Sequence, residues 1–393
     1  MLRRFVHRFI DAFKKGDLIL LLLCLVATAF GCLVIASATN TSGSLRYIIV
    51  QIGAAVAGVG AYVIMSSIDA EVFSERRRGL VVFNTLLLLL LIPFGVTVNG
   101  NRSWLSFPFL PFNIQPAEIC KITYILIMAS VMNSHQNNLS SIPSMGHMLV
   151  HLIFLFGLNM LLSGDMGVSL IFAFIFVGMA FAGGVSLIWF GVALGGLAIA
   201  FPIVWNVGLD EYQKIRIRVL FDPSLDPQGT GPLYQTVRAL RSLTGGGMTG
   251  QGLFEGNRTQ TPSALFAQHT DFVYAAIGEE LGFLGCAFVL LMLFLIVGRC
   301  IWVGIRSQDT LRRLICFGAA SALIFQIIIN VGMCIGVMPV IGLTLPFISY
   351  GGSSLITLYA MLGLVSGVYA RPAPTSRERY IRPPLKTYEG RFI

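Results

Sequence analysis

The chain has 393 residues, of which 55% are hydrophobic and only 11% charged, and its formal net charge is +9. A soluble domain carries about 25% charged residues, so this composition cannot supply a water-facing surface, and an integral membrane protein is the class that fits. The positive balance does not point to nucleic acid, because the basic residues sit in short blocks beside apolar runs, as they do at membrane boundaries.

A membrane span needs roughly 20 apolar residues. Taken in order, candidate spans fall at 18–38, 47–68, 80–98, 117–132, 148–162, 166–183, 187–207, 272–297, 314–337 and 353–369. Only Ser163, Gly164 and Asp165 separate the fifth and sixth, which predicts a tight helical hairpin with Asp165 capping the sixth. The expected architecture is all-α and polytopic: one domain over 1–393 with about ten transmembrane helices. The first run is too long for the apolar part of a cleaved signal and is read as a retained span. All seven cysteines lie in or beside apolar runs, so no disulfide framework is implied and no metal-ligand spacing is present.

Charge sets the expected orientation. Arg3, Arg4, Arg8, Lys14 and Lys15 precede the first span. Arg76, Arg77 and Arg78 follow the second, and Arg299, Arg306, Arg312 and Arg313 follow the eighth. Six more basic residues lie in the Pro- and Arg-rich stretch 371–393, a short cytoplasmic tail. The short loops on the other side hold only Arg46 and Arg102, so the positive-inside rule puts both termini in the cytoplasm. The long polar segment 208–271 is then extracytoplasmic. It keeps Tyr212, Phe221, Tyr234, Leu240 and Phe254, too much apolar surface for a plain linker.

Several residues could carry chemistry. Asp271 closes that loop in AQHTDFVYAAIGEELGF and opens the eighth span. It reads as a helix cap and, compatibly, as a rim carboxylate whose raised pKa suits a general base. Glu279 and Glu280 follow about two turns on; intramembrane carboxylates are either paired or functional. Glu118 and Lys121 stand at i and i+3 in QPAEICK, as a structural ion pair or as cavity-lining groups. Arg102 and Trp104 precede them in NGNRSW. The loop gathers Lys214, Arg216, Arg218, Arg238, Arg241 and Arg258 with Gly245, Gly246, Gly247, Gly250 and Gly252. Arginine forks suit phosphate and glycine admits close backbone approach, but there is no Walker motif, and on these residues alone a solvated loop facing anionic headgroups is the preferred reading. His147 and His151 have i, i+4 spacing without a visible third ligand.

The stretch NVGMCIGVMPVIGLTLPFISYGGSS, from Asn330 to Ser354, carries a polar Asn330 and then breaks at Pro339, Gly342, Pro346, Gly351 and Gly352 among apolar residues. Broken backbone at membrane depth survives only where protein or a water-filled cavity satisfies it, so the break marks a site. A transporter would show matching discontinuous helices in two similar halves, and the N-terminal half has no counterpart.

This stretch, with HTDFVYAAIGEELGF, NGNRSW, QPAEICK and DPQGTGPLYQ, resembles the SEDS family (RodA, FtsW and SpoVE) over nearly the whole chain. The resemblance implies a peptidoglycan glycosyltransferase that polymerises lipid II and releases undecaprenyl pyrophosphate, in elongation, division or sporulation. A lipid II flippase is the alternative. The resemblance implies Asp271 as the catalytic base or as ligand for a divalent cation (Mg or Mn). Arg102, Lys121, Arg216 and Arg218 are the implied cations for the leaving diphosphate, and Trp104 and Glu118 line the cavity with Lys121. Ser349, Gly351, Gly352 and Ser353 fall on the broken element. The implied partner is a class B penicillin-binding protein, the implied place a bacterial cytoplasmic membrane. Where the family has Gln-Pro-Asp-Leu-Gly-Thr, only Asp165 and Gly167 remain, which leaves that turn without an assigned role. Arg238-Ala239 replaces a Gln-Ser pair, and Phe266-Ala267 a Pro-Glu.

Overall fold

The computed structural model describes residues 15–40, 45–98, 101–108, 112–208, 211–226, 229–231 and 233–371. The basic residues expected before Lys15, and the tail after Arg371, lie outside the described residues. Among the described residues, eight helices are long and apolar enough to cross a membrane: α1 (Leu18–Ala38), α2 (Leu45–Ser67), α4 (Arg77–Phe94), α6 (Ile142–Ser163), α7 (Met166–Gly183), α11 (Val273–Arg306), α12 (Thr310–Cys334) and α13 (Gly352–Ala370). Short α3 (Ala70–Glu75) links α2 to α4. The two remaining expected spans are helical but weaker: α5 (Pro116–Ser134) carries Glu118 and Lys121 and is almost wholly buried, and α8 (Leu187–Ile203) has 17 residues.

Local sequence explains the element ends. Pro116 sits in the first turn of α5, where its missing N–H costs nothing. Gly164 ends α6 in the left-handed region at φ 68°, and Asp165 then caps α7, its carboxylate accepting from Val168 N. The third expected span overran: a short antiparallel hairpin, β1 (Gly95–Val98) and β2 (Asn101–Leu105), follows α4 instead of more helix.

The bundle packs where small residues let helices close. A Cβ at Gly58 of α2 would lie 2.6 Å from the Tyr359 ring of α13, and one at Gly363 of α13 would lie 2.4 Å from the Tyr62 carbonyl. Close backbone approach of this kind replaces the hydrophobic drive that lipid does not supply. By contrast α8 buries none of its residues; Trp189 and Phe190 at its start touch the core.

The segment 208–271 is ordered where described, with α9 (Glu211–Phe221) and α10 (Tyr234–Gly245). Gly246 and Gly250 of this segment pack against the backbone of α11. The segment satisfies a break in α11, whose backbone departs from helix at Gly282 (φ 64°). Gln251 and Gly252 donate their N–H groups to the carbonyls of Glu279 and Glu280, each at 3.0 Å. Phe283 N donates to Gly247 O at 2.9 Å and Leu284 N to Met248 O at 3.2 Å. A Cβ at Gly282 would lie 2.4 Å from Gly250 N, so this interlock excludes side chains.

Candidate active site

Glu279 and Glu280 are buried and are not held by arginine side chains. Glu280 accepts from Ser37 Oγ at 2.5 Å, Thr259 Oγ1 at 2.6 Å and Gln260 Nε2 at 3.1 Å. Glu279 accepts from the Arg258 backbone N–H at 2.5 Å. Both carboxylates therefore clasp the long loop to α1 and α11, which fixes the stretch just upstream of Asp271.

Asp271 lies in the turn before α11. Its neighbours are tied at three successive carbonyls. Tyr350 N donates to His269 O at 2.8 Å, Ser349 Oγ to Thr270 O at 2.6 Å, and Asn330 Nδ2 to Asp271 O at 2.8 Å. All three donors come from α12 or from the non-helical stretch between α12 and α13, as the broken-backbone argument expects. That stretch is packed in protein, with Leu343, Leu345, Phe347 and Ile348 buried. Gly342, at φ 78°, passes so close to Asp271 that a Cβ there would lie 3.6 Å from Oδ2.

Burial pushes the Asp271 carboxyl up to about 6, and the charge of Asp165 adds to the rise. Asp165 is itself raised, by burial first and then by the charge of Glu118, against hydrogen bonds from Val168 and Ser103. Its Oδ2 accepts from Gln115 Nε2 at 3.2 Å and Ser103 Oγ at 3.5 Å. Asp165 thus belongs to the site as well as capping α7. The cap reading hid this, although its survival in an otherwise altered turn was a signal. A half-buried aromatic group flanks the Asp271 turn: Tyr47 lies 4.9 Å from the His269 ring and 5.0 Å from the Tyr350 ring, and burial lowers the His269 pKa.

The other expected residues are distributed unevenly. Glu118 and Lys121 pair at 2.8 Å inside α5, and Thr357 Oγ1 of α13 adds a 3.2 Å bond to Glu118. Ser349 is engaged by protein on both sides, since Leu345 N donates to its Oγ at 2.8 Å. Gly351 N donates to Gln51 Oε1 at 3.2 Å, while Gln51 Nε2 donates to Ser349 O at 3.2 Å. Gly352 packs on the Phe112 ring, and the buried Ser353 Oγ has no partner in the protein. Arg216 reaches the broken stretch through Val340 O at 3.1 Å.

Arg102, Trp104 and Arg218 do not gather at Asp271. Strand alternation turns Ser103 toward Asp165 and leaves Arg102 and Trp104 on the opposite face of β2. Arg102 instead caps the end of α4, donating to Ile92 O at 2.7 Å and Gly95 O at 3.1 Å. Arg218 stands over Trp205 at 5.4 Å, in a groove of about 710 Å³ between the ends of α8 and α9. Among the described residues no group of three or more His, Cys, Asp or Glu side chains could hold a metal ion. Asp165 and Asp271 alone do not make a preformed divalent site.

These features define a polytopic membrane protein with a carboxylate site at one end of its bundle, closed by a broken C-terminal element. The chain belongs to the FtsW, RodA and SpoVE family of cell cycle proteins, which matches residues 17–372. It is 32% identical over 356 residues to the peptidoglycan glycosyltransferase MrdB of Escherichia coli K12, covering 90% of this chain and 93% of that one. It is 35% identical over 366 residues to the probable peptidoglycan glycosyltransferase FtsW of Trichlorobacter lovleyi, with the same coverage. A chain from a solved peptidoglycan synthase complex, described as coordinating polymerization and crosslinking, superposes with a TM-score of 0.74 at 27% identity, covering 93% of this chain and 98% of that one. A mutant form of the Thermus thermophilus rod shape determining protein RodA gives 0.67 at 26% identity, again over 93% and 98%.

Proposed function

We propose that this chain is a peptidoglycan glycosyltransferase that polymerises lipid II, with Asp271 as general base. Enzyme class and reaction follow from its relatives. The observation that supports the residue assignment is a carboxyl raised to about 6 and fixed in the turn that leads into α11. A base works best with a pKa near the operating pH, because it is then ionised and still proton-hungry. Asp271 takes the proton of the acceptor sugar hydroxyl as that oxygen bonds to the donor's anomeric carbon. The bond from that carbon to the diphosphate breaks, and undecaprenyl pyrophosphate leaves. A placed base typically contributes about 100- to 10,000-fold.

The departing diphosphate calls for positive charge. Arg216 is the expected cation whose contact places it beside the broken stretch, and Lys121 balances Glu118. The site lies at the extracytoplasmic face, with both termini cytoplasmic; the distribution of basic residues supports this. The partner is a class B penicillin-binding protein with one span, a reading supported by the likeness to a synthase complex that couples polymerization with crosslinking.

Incubation of the purified protein, alone and with that transpeptidase, with labelled lipid II should yield glycan strands and free undecaprenyl pyrophosphate. Movement of lipid II across vesicle bilayers with no polymer would establish the flippase instead.

A further inference from the structure

Asn330 is fully buried in α12, a place where a carboxamide is costly unless it is bonded. Both hydrogens of its Nδ2 are used, on Asp271 O at 2.8 Å and Leu343 O at 2.7 Å. The two acceptors are carbonyls, so only the NH2 can face them. Its Oδ1 is buried without a partner. Such an orphaned acceptor is itself a cost, so the residue is poorly explained as a source of stability alone.

We infer that Asn330 is a positioning residue for Asp271, setting the distance between the base and the Gly342–Leu343 floor beneath it. One planar amide holds the main chain of Asp271 and the residue after Gly342, over which the Asp271 carboxylate lies. No shorter side chain spans both carbonyls, and aspartate would present oxygen to oxygen. The inference rests on Asp271 as the base. It adds that the carboxylate's protonation is set from α12, through the backbone and without contact between Asn330 and the reacting atoms. A misplacement of about 1 Å costs on the order of 100-fold in rate.

The test needs a readout that a merely structural role would not move. Dicyclohexylcarbodiimide modifies protonated carboxyls, so the rate of Asp271 labelling against pH, read by mass spectrometry, gives its midpoint without needing activity. Asn330→Ala should lower that midpoint by at least about half a pH unit, as water gains access, and reduce polymerisation by about 10- to 100-fold. Asn330→Ser, which keeps one donor, should fall between and serves if the alanine variant does not fold. An unmoved midpoint in a folded variant, with activity reduced only as the folded fraction is reduced, would overturn the inference. Full polymerisation by an Asp271→Asn variant would instead sink the base assignment, while the labelling midpoint would still report on Asn330.

Discussion

Ser349 Oγ donates a hydrogen bond to the carbonyl of Thr270 at 2.6 Å, one residue before Asp271, and accepts one from Leu345 N at 2.8 Å. Its role is thus to hold the aspartate's turn against the broken element. Ser349→Ala leaves two buried backbone groups unpaired, at about 1–3 kcal/mol for each group so exposed to loss. A lowered melting temperature and a fall in lipid II polymerisation are expected together; full activity would show that the turn is held without it.

The buried pair of Glu118 and Lys121 separates stability from chemistry. Lys121→Met strands a charge in α5 and should cost about 3–5 kcal/mol, whereas combining it with Glu118→Gln should restore most of that loss. The double variant should be stable yet at least about tenfold slower, because Lys121, a proposed cation for the departing diphosphate, is gone. A stable double variant with wild-type activity would assign the pair to structure alone.

Glu280 anchors the long loop through Ser37, Thr259 and Gln260. Glu280→Leu removes three acceptor contacts and should free segment 208–271, seen as faster proteolysis there than elsewhere. Cleavage at the wild-type rate would mean that the glycine interlock with α11 suffices.

Much of this was legible in the sequence. Apolar runs located the helices, and the breaks after Asn330 located the element that grips Asp271. What the sequence hid was direction. Arg102 and Trp104 sit in a conspicuous motif on one face of a short strand, while the inconspicuous Ser103 between them, on the other face, reaches Asp165. A strand of five residues at the end of an apolar run shows no separate periodicity. The packing of the 245–252 glycines against α11 was not legible, because composition cannot tell a ligand's approach from that of a neighbouring backbone. Asp165 as a cap was correct and incomplete, since one carboxylate can cap a helix with one oxygen and face a site with the other.

The raised carboxyl fixes the expected pH dependence. Asp271 is ionised above about 6 and protonated below, so polymerisation should fall as pH drops through about 6. The native state holds a proton that the unfolded chain releases near the usual carboxylate value of 3.8, so native stability falls as pH rises from there to about 6 and levels off above. Asp271→Asn, neutral throughout, should melt at or above the wild-type temperature at pH 7; a marked drop would show that the carboxylate is a structural support.

The central claim is most directly tested by polymerisation of labelled lipid II by the Asp271→Asn protein with its transpeptidase. The account predicts a folded, membrane-inserted enzyme that makes no glycan strands and releases no undecaprenyl pyrophosphate. Strands formed at the wild-type rate would contradict it.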